Sequence, residues 1–580
     1  MAPETATPPG TRHGTQPDTW DTQVLVVGAG PVGLMLAGEL RLGGADVVVL
    51  EQRAAPVEES RASTLHARTM EILDSRGLLA RFGTLPNQRR GHFGGIPMDL
   101  TLPGPYPGQW KVPQPTTERL LQDWALSLGA DVRRGHTLRG LTDNGDHVAA
   151  DVEGPEGPLR LRAAYLVGCD GERGDVRRLA GIGLRGTEAG RELVRADVAD
   201  IDIRDRRFER LERGLAIASR GAGGLTRVMA HAYGRPPRDR GGKAPDFTEV
   251  AEVWHTVTGE DISHGTPVWT NAFGDVCLQA TDYRRGRVLL AGDAAHQQLP
   301  AGGQALNLGL QDAVNLGWKL ARTVLGTAPG TLLDTYHAER HTAGARILAN
   351  IQTQALLLLG GREADGPRAV MTELIAYEPA VRRRLAGMVS GLGVAYGTDE
   401  DGHPLLGVPL PHLNLVADGA HTTSAALLRE GRPVLLSLGG AVEHGGSARL
   451  AAAVAPWAGR VSHVRAALAP MSGPASPDAS GGGAGTVSGS ASGAAAPVSA
   501  SDSACPGYPE PRIDSGEAVL LRPDGHVAWA GTGEETGALT EALRYWFGPP
   551  DVGSPRTGPP NSGPPNSPQD GARSAAAPPS

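Results

Sequence analysis

The chain has 580 residues, of which 20% are charged and 40% hydrophobic, and its formal net charge is -8. These values indicate a folded protein of several domains and argue against a nucleic-acid partner, because nucleic-acid-binding domains are usually basic. Three widely spaced cysteines without a CxxC pair argue against disulfides and a cysteine-rich metal site, so we expect no metal ion and a cytoplasmic location. We find no signal-peptide pattern and no run of about 18 apolar residues, so we expect no membrane partner.

The first predicted elements are a strand, a helix and a second strand. A tail rich in Pro and Thr over residues 1–20 is predicted to be disordered. A buried strand is expected at 23–27, a helix at 31–42 and a second strand at 47–50. This order of elements opens a Rossmann-like α/β fold.

A glycine-rich motif, Gly28-Ala29-Gly30-Pro31-Val32-Gly33, joins the first strand to the helix. In a dinucleotide site the first glycine makes the tight turn, the second lets the pyrophosphate approach the backbone, and the third lets the helix pack on the strand. Glu51 ends the second strand, where a carboxylate can bind ribose hydroxyls. The segment therefore predicts a bound nucleotide, and these residues alone leave NAD and FAD both open.

The middle of the chain mixes helices with many short strands. Helices are predicted at 64–81 and 116–128, a loop or short irregular strands at 93–113, and a β meander at 131–167. Strand-like runs at 215–219, 226–231 and 268–273 lie in a region with few helical periods. We therefore predict a sheet-rich substrate domain over 185–275, inserted into a nucleotide-binding domain formed by 21–184 and 276–400.

Long helices are predicted at 306–355 and 366–397. The elements predicted beyond residue 405 are strands at 433–438 and 461–467, a helix at 447–455, a hairpin around Pro523-Asp524-Gly525 and a helix at 536–547. This order is similar to a thioredoxin-like domain over 405–548, although no redox thiol chemistry is expected without a CxxC pair. Residues 470–506, nearly all Gly, Ala, Ser and Pro, and residues 549–580 are predicted to be disordered.

A second ligand-binding segment follows the apolar strand at 288–291. Asp293 can accept hydrogen bonds from ribityl or ribose hydroxyls. Pro300-Ala301-Gly302-Gly303 can lay backbone amides against a flavin ring, because glycine allows close approach, and the helix beginning near Leu306 adds its positive end. A turn that binds nothing is the alternative here, as it is for Asp170-Gly171 after an earlier apolar strand.

Four further stretches add to these segments: Ser60-Arg61-Ala62, residues 66–71 (HARTME), residues 91–95 (GHFGG) and residues 312–319 (DAVNLGWK). Together, from about Gln23 to Gly397, they resemble the group A FAD-dependent aromatic hydroxylases. The resemblance is strongest to actinobacterial hydroxylases of angucycline, anthracycline and tetracenomycin polyketides. It implies an α/β fold class: a Rossmann-like FAD-binding domain, a sheet-rich substrate domain inserted in it, and a C-terminal thioredoxin-like domain lacking CxxC.

The resemblance also implies a role for each matching residue. The residues expected to bind FAD are Gly28, Gly30, Pro31, Val32, Gly33, Glu51, Gln52, Arg61, Gln114, Asp170, Arg177, Asp293, Pro300, Gly302, Gly303, Ala305, Leu306 and Asn307. The residues expected to line the substrate pocket are Phe93, Met229, His231, Trp269 and Phe273, with a place in the core as the alternative. His92 and His296 are the candidate catalytic bases for ionising a substrate phenol, with a structural histidine as the alternative.

The chemistry implied is that of the family. NADPH or NADH would reduce FAD, O2 would add at flavin C4a, and the resulting hydroperoxide would hydroxylate an aromatic polyketide in antibiotic biosynthesis. Gln297-Gln298 are similar to the tetracenomycin-type oxygenases, which makes multiple hydroxylation one option. A homodimer is a further option.

Two positions depart from the family pattern. Gly174 stands where serine is usual, which puts a side-chain contact in doubt, and Ala305 stands where glycine is usual. They are the only support for one alternative, a flavoprotein whose oxygenase site has lapsed and that serves as a binding protein; a non-oxygenating flavoprotein is a second alternative. A flavin-dependent halogenase is disfavoured because the chain has no Trp-x-Trp, and a simple NAD dehydrogenase would not need residues 292–303.

Overall fold

The computed structural model describes residues 20–56, 63–241, 243–397, 402–439, 446–469, 513 and 516–551. Arg61, the linker predicted to be disordered at 470–506 and nearly all of the two predicted disordered tails lie outside the described residues. Within them, no helix is long and apolar enough to cross a membrane.

The largest sheet brings together strands that are far apart in sequence. Its eight strands are Thr22–Val27, Val47–Glu51, Asp131–Arg134, Thr137–Asp143, Val148–Gly154, Gly157–Gly168, Arg284–Arg285 and Val288–Leu290. Thr22–Val27 lies between Val47–Glu51 and Gly157–Gly168, and all three run parallel. Val288–Leu290 extends this parallel core on the far side of Gly157–Gly168. The buried valines and leucines of these strands suit a parallel sheet that is covered on both faces.

One face of this sheet is covered by three packed helices. Pro31–Leu42 lies between Gln114–Ser127 and Gln304–Val324. Close approach depends on small residues, since a Cβ on Gly38 would lie 2.1 Å from the Trp124 ring and one on Gly317 would lie 2.3 Å from Cβ of Glu39. The first helix is therefore fixed from both sides, and its N-terminus points towards the ends of the central strands.

The second sheet has five antiparallel strands. They are Glu192–Ala199, Arg206–Leu211, Gly214–Arg220, Thr226–Ala232 and Thr266–Gly274. Side chains alternate between its two faces, and the face with Val194, Val228 and Ala230 packs on the helix Phe247–Thr258. The sequence analysis missed this helix, although Val250, Val253, Trp254 and Val257 have helical spacing.

The opposite face of the five-stranded sheet is called the substrate-side face here; it carries Leu193, Arg195, Asp197, Leu215, Ile217, Arg227, Met229, His231, Trp269, Asn271 and Phe273. Leu193 and Leu215 pack against Leu299 and Ala301, which follow the strand Val288–Leu290 of the largest sheet. The two sheets are therefore joined through an apolar cluster.

The remaining elements of the N-terminal two thirds are short strands and long helices. The short strands are Thr64–His66, Asn87–Gln88, Arg90–Phe93, Ile96–Asp99, Gln109–Lys111, Leu184–Thr187, Cys277–Ala280 and His296–Gln298. The other helices are Ala67–Ser75, Asp175–Leu179, Asp334–Leu359, Asp365–Tyr377 and Pro379–Ser390. The prediction of one helix over 64–81 is wrong, because Thr64–His66 pairs with the distant strand Gln109–Lys111.

The C-terminal region forms a six-stranded sheet with two helices. Its strands, in spatial order, are Ala420–Thr423, Asn414–Ala417, Ser462–Leu468, Val434–Leu438, Ala518–Leu521 and Val527–Gly531, and its helices are Gly446–Val454 and Thr536–Phe547. The predicted order of strand, helix, strand, hairpin and helix is confirmed, and the sequence analysis missed the first two strands. The thioredoxin-like label stays a prediction.

A buried cluster of four charges joins the C-terminal sheet to the long helices. Lys319 Nζ lies 2.7 Å and Arg522 Nη1 lies 2.5 Å from the Glu339 carboxylate, and Arg522 also pairs with Asp524. Burial lowers the pKa of Lys319 to about 8. Burial alone would raise the pKa of Glu339, but Arg522 and Lys319 hold it at about 2. We call these four residues the interdomain ion cluster.

Candidate active site

A cavity of about 330 Å³ lies at the carboxyl ends of the central parallel strands. It is lined by Val27, Gly28, Gly30, Leu50, Glu51, Gln52, Arg53, Gln114, Glu118, His136, Thr137, Leu138, Cys169, Asp170, Gly171, Glu172, Arg173, Gly174 and Asp175. The glycine-rich motif, Glu51 and the Asp170-Gly171 turn, which are separated by up to 140 residues, therefore meet in one place. Ligands bind α/β sheets at this position, outside the carboxyl ends of the strands.

The glycines of the motif fit the pyrophosphate of a dinucleotide. A Cβ on Gly28 would lie 2.4 Å from the Cys169 oxygen, and one on Gly33 would lie 2.0 Å from the Gly28 oxygen, so both positions require glycine. A Cβ on Gly30 would meet no protein atom within 4 Å. Gly30 thus leaves space free at the N-terminus of the helix Pro31–Leu42, where backbone amides favour phosphate.

The Glu51 carboxylate is held in place by the backbone. One oxygen accepts a hydrogen bond from the Ala29 amide and the other from the Arg53 amide, each at 2.9 Å. This arrangement fixes the carboxylate at the cavity wall, where it can face ribose hydroxyls. Across the cavity, the Gln114 amide donates to the Glu118 carboxylate at 2.8 Å.

Asp170 caps the short helix that begins after Gly174. The Val176 amide donates to Asp170 Oδ2 at 2.9 Å, which satisfies a free N–H in the first turn of the helix Asp175–Leu179. A Cβ on Gly174 would lie only 2.1 Å from the Asp170 carboxyl group, so the glycine makes room for this cap. Arg177 lies further along this helix, donates to the Ile182 oxygen at 3.0 Å, and is not among the residues that line the cavity.

The predicted flavin-side turn, residues 292–307, lies directly against the glycine-rich motif. A Cβ on Gly309 would lie 2.6 Å from Val32 and 3.1 Å from the Gly292 backbone. Gly302 and Gly303 have φ of 62° and 74°, in the left-handed region that favours glycine. Asp293 and Pro300 are exposed, and Ala305 and Leu306 are partly buried in the first turn of the helix Gln304–Val324. Alanine at 305 is therefore compatible with a regular helix start.

Two polar side chains hold the shape of the flavin-side turn. His66 Nε2 donates to the Gly302 oxygen at 2.9 Å. The Asn307 amide nitrogen donates to the oxygens of Thr64 and Gly303, at 2.9 and 2.7 Å, while its oxygen accepts from the His66 amide at 2.9 Å. Burial lowers the pKa of His66 to about 4, so it is neutral at pH 7. The Asn307 side chain is thus committed to positioning the turn.

His296 is buried completely behind this turn. Its Nε2 donates to Asp312 Oδ2 at 2.7 Å, and both side chains are 0% exposed. Asp312 also pairs with Arg340 Nε at 2.7 Å and accepts from the Gly292 amide at 3.1 Å. Burial would raise the pKa of Asp312, but Arg340 and His296 lower it below the ordinary value. This environment supports a positioning role for His296, and its catalytic role stays a prediction.

The other candidate base, His92, lies in the hairpin that precedes Gly94. Its Nδ1 accepts from the Gly95 amide at 3.2 Å, and its ring lies 4.1 Å from that of Phe208. Burial lowers the pKa of His92 to about 4. Phe93, predicted to contact substrate, is 2% exposed and packs with Leu357 and Val389 in a separate apolar cluster.

Four of the five predicted substrate residues share the substrate-side face. Met229 and Phe273 are partly buried and pack on the cluster that contains Leu299 and Ala301. Trp269 lies under the Arg195 guanidinium, with 4.5 Å between the Arg195 Cζ and the ring centroid. His231 is 2% exposed and its Nδ1 donates to the Glu192 oxygen at 2.7 Å, which ties it to the sheet.

Sequence reasoning missed a line of amides that connects the flavin-side turn to the hairpin of His92. Asn350 donates to Gln304 at 3.1 Å, Gln354 donates to Asn350 at 3.3 Å, and the Gly94 amide donates to Gln354 at 3.2 Å. Asn350 and Gln354 are buried polar residues four apart on the helix Asp334–Leu359. Two amides at this spacing on an otherwise apolar helix face are a signal that the sequence does contain.

Comparison with known families identifies the class of protein. Residues 21–351 match the FAD binding domain family, and residues 403–550 match the family described as aromatic-ring hydroxylase, C-terminal. The chain therefore belongs to the FAD-dependent aromatic-ring hydroxylases, as the resemblance implied, and it is a flavin monooxygenase that uses FAD and NAD(P)H.

Individual relatives are similar over nearly their whole length. The chain is 40% identical over 552 residues to the 12-dehydrotetracycline 5-monooxygenase/anhydrotetracycline 6-monooxygenase of Streptomyces rimosus, covering 91% of this chain and 99% of that one. It is 47% identical to the solved structure of CabE, an aromatic hydroxylase from angucycline biosynthesis, with a TM-score of 0.79 over 91% of this chain and all of CabE. BexE, from BE-7585A biosynthesis, is 46% identical with a TM-score of 0.78, over 91% of this chain and all of BexE.

Proposed function

We propose that this monooxygenase hydroxylates a phenolic ring of a polycyclic aromatic polyketide, related to the angucyclines or tetracyclines, in antibiotic biosynthesis. One observation carries the proposal: the substrate-side face presents apolar side chains towards Leu299 and Ala301 of the flavin-side turn. Apolar side chains beside the flavin-side turn suit a flat, multi-ring molecule, because binding sites for such ligands are mostly apolar with a few placed polar groups. The relative named as a monooxygenase of tetracycline precursors and the aromatic hydroxylase from angucycline biosynthesis support the same substrate class.

We infer that FAD lies along the cavity and the flavin-side turn. Gly28, Gly30 and Gly33 would receive the pyrophosphate, Glu51 and Gln52 the adenosine ribose, and Asp293 the ribityl hydroxyls. The Gly302-Gly303 backbone would lie beside the flavin ring. When bound, FAD supplies the electrons taken from NADPH or NADH and the activated oxygen. The roles of Arg61, Arg177 and Asn307 towards FAD stay predictions.

The side chains of the protein would then fix the backbone amides beside the flavin ring and enclose the reacting ring of the substrate. His66 and Asn307 hold the Gly302-Gly303 amides in one orientation, so the amides need no rearrangement to stabilise negative charge on the ring. Leu193, Met229 and Phe273 would exclude water from the reacting ring. His92 and His296 both stay candidate bases: the Nδ1 lone pair of neutral His92 accepts from the Gly95 amide and must leave it to take a phenol proton, and His296 is enclosed with Asp312.

The predicted domain boundaries, the cytoplasmic location and the homodimer belong to the same proposal. The segments 21–184 and 276–400 would carry FAD, and 185–275 the substrate, while 405–548 would be the C-terminal domain. Hydroxylation at several positions, as in tetracenomycin-type oxygenases, stays a prediction for Gln297-Gln298.

Product analysis under isotopically labelled O2 tests the proposal. The FAD-loaded protein is incubated with NADPH and a panel of tricyclic and tetracyclic phenolic polyketides, and products are identified by mass. We expect incorporation of labelled oxygen into an angucycline-type or tetracycline-type substrate, and none with FAD-depleted protein. Flavin reduction with no labelled product from any panel member would contradict the proposal and favour the non-oxygenating alternatives.

A further inference from the structure

One arginine of the substrate-side face has no use in the mechanism described so far. Arg195 lies on the strand Glu192–Ala199, between Met229 and Asn271 on the neighbouring strands. Its side chain is 5% exposed. Among the residues that the structure describes, its Nε and Nη2 atoms have no hydrogen-bond partner. Buried charged donors without a hydrogen-bond partner cost free energy, so these two atoms are available to a partner from outside the chain, such as a ligand.

A neighbouring arginine shows what this edge of a guanidinium can bind. Arg227 uses its own Nε and Nη2 to hold the two oxygens of Asp197, each at 2.7 Å. Arg195 Nη2 lies 4.0 Å from the same carboxylate, beyond hydrogen-bond distance. Asp197 is therefore committed to Arg227, and Arg195 keeps a pair of parallel donors that matches two coplanar oxygens.

The surroundings of Arg195 favour a negative charge. Arg195, Arg227 and Asp197 together carry one net positive charge on the same face. Burial, assisted by Arg227, lowers the pKa of Arg195 to about 10 against the attraction of Asp197, so it remains charged at pH 7. The Trp269 ring under the guanidinium restricts its orientation.

We propose that Arg195 binds the ionised hydroxyketone edge of the aromatic substrate, in which a phenolate oxygen and a ring carbonyl oxygen lie side by side. This inference rests on the proposed function and deepens it. Nε and Nη2 each donate to one of the two oxygens. The positive charge favours the phenolate over the phenol, and phenolate pushes electrons into the ring that is hydroxylated. Arg195 is thus a residue that both selects the substrate and activates it.

The test uses FAD-loaded protein and three anthraquinones of similar size. 1-Hydroxyanthraquinone has the adjacent hydroxyl and carbonyl, 2-hydroxyanthraquinone has an isolated hydroxyl, and anthraquinone-2-carboxylate has a different pair of oxygens. Binding is followed by titration, and ionisation by the long-wavelength band of the phenolate. We expect the wild-type protein to prefer 1-hydroxyanthraquinone and to lower its pKa on binding. Tighter binding of the carboxylate would instead overturn the assignment to a hydroxyketone.

Three variants make the result specific. In R195Q we expect about tenfold weaker binding of 1-hydroxyanthraquinone, which corresponds to about 1.4 kcal/mol of binding free energy. The phenolate band of the bound ligand should be lost as well. R195K keeps the charge without the paired donors, so it should lose the preference between the two hydroxyanthraquinones. R220Q is the matched control, because Arg220 lies in the same sheet but is 53% exposed and paired with Asp202.

The outcome separates this inference from the proposed function. FAD occupancy, melting temperature and NADPH-dependent flavin reduction are measured on the same preparations. Wild-type ligand preference retained in both R195Q and R195K, with normal flavin reduction, would overturn the role of Arg195 alone. Should R195Q fail to fold, R195K still decides the question. Labelled-oxygen products absent from the wild-type protein would count against the proposed function itself.

Discussion

The cavity at the glycine-rich motif is shaped mainly by backbone atoms, whereas the substrate-side face is shaped by side chains. Around the cavity, shape comes from the backbone: Gly28 and Gly33 admit no side chain, and Glu51 is held by two main-chain amides. On the substrate-side face, shape comes from side chains on a regular sheet, where two donors of Arg195 have no hydrogen-bond partner within the described part of the chain. A site built from backbone tolerates almost no substitution, whereas a site built from side chains can change its ligand without changing the fold.

The largest expected effect lies behind the flavin-side turn. Asp312→Asn leaves the buried Arg340 without its counter-charge, so we expect the free energy of unfolding to fall by about 3–5 kcal/mol. The measurement is urea unfolding at pH 7, with Asp202→Asn on the exposed Asp202–Arg220 pair as the control that should leave stability unchanged. A small loss for Asp312→Asn would show that the turn does not depend on this pair.

Two glycine variants test whether the backbone of the glycine-rich motif shapes the FAD site. Gly33→Ala places a Cβ 2.0 Å from the Gly28 oxygen, so we expect a loss of about 1–3 kcal/mol in stability together with loss of FAD. Gly30→Ala meets no protein atom, so the protein should melt like wild type yet bind FAD more weakly. Thermal melting and FAD titration check both. Wild-type FAD affinity in Gly30→Ala would remove Gly30 from the pyrophosphate site.

The pH dependence of stability tests the support of the flavin-side turn by His66. Its pKa is about 4 in the folded protein, lowered from 6.5 by burial, so the unfolded chain binds the extra proton between these values. The contribution of His66 to stability is therefore complete above pH 6.5 and falls by about 1.4 kcal/mol per pH unit towards pH 4. His66→Gln should reduce the slope of the wild-type protein by this contribution in urea unfolding at pH 5 and 7, while other buried histidines such as His92 keep theirs. The control is His421→Gln at an exposed position, for which the wild-type slope is expected.

A double-mutant cycle tests whether Asp170 replaces the missing serine. Asp170→Ala removes the cap of the helix Asp175–Leu179 and should cost about 1 kcal/mol. Gly174→Ser alone should also destabilise, because its Cβ collides with the Asp170 carboxyl group. The double variant should recover most of the loss, since serine can then cap the helix. Additive losses in thermal unfolding would argue against this compensation.

The smallest effect on stability is expected from a substitution on the substrate-side face. Met229 is partly buried, so Met229→Ala should leave FAD binding and flavin reduction unchanged. We expect KM for a polycyclic phenol to rise by about tenfold, or about 1.4 kcal/mol, with little change in kcat. Steady-state kinetics check the split, with Val268→Ala at a neighbouring exposed position as the control. A fall in kcat alone would place Met229 outside the binding surface.

The sequence brings out the glycine-rich motif because the backbone constraints on it leave a recognisable spacing. Gly28, Gly33 and Gly303 must be glycine for reasons of contact or φ, and such positions recur at fixed spacing. The substrate-side face leaves no such pattern. Met229 and Phe273 are predicted only as residues of the sheet-rich insert, and nothing in the sequence distinguishes Arg195, a charged residue in a strand, from an exposed one.

Errors in the predicted elements have a physical cause as well. Thr64–His66 is a strand only because Gln109–Lys111, more than 40 residues away, supplies its partner. Local sequence favours continuation of the following helix, and tertiary pairing overrides it. The capping of Asp175–Leu179 by Asp170 is likewise a contact between side chain and backbone that spacing alone does not reveal.

The interdomain ion cluster limits how domains can be exchanged between homologous enzymes to make chimeras. Arg522 and Asp524 come from the C-terminal sheet, while Lys319 and Glu339 come from the long helices, and the four charges sum to zero. Each side is a neutral pair by itself, so a chimera that inherits only one side loses the two hydrogen bonds of Arg522 to Glu339, which cross the seam, and leaves these buried groups without each other. The crossover point of a viable hybrid must therefore be chosen so that all four residues descend from the same parent.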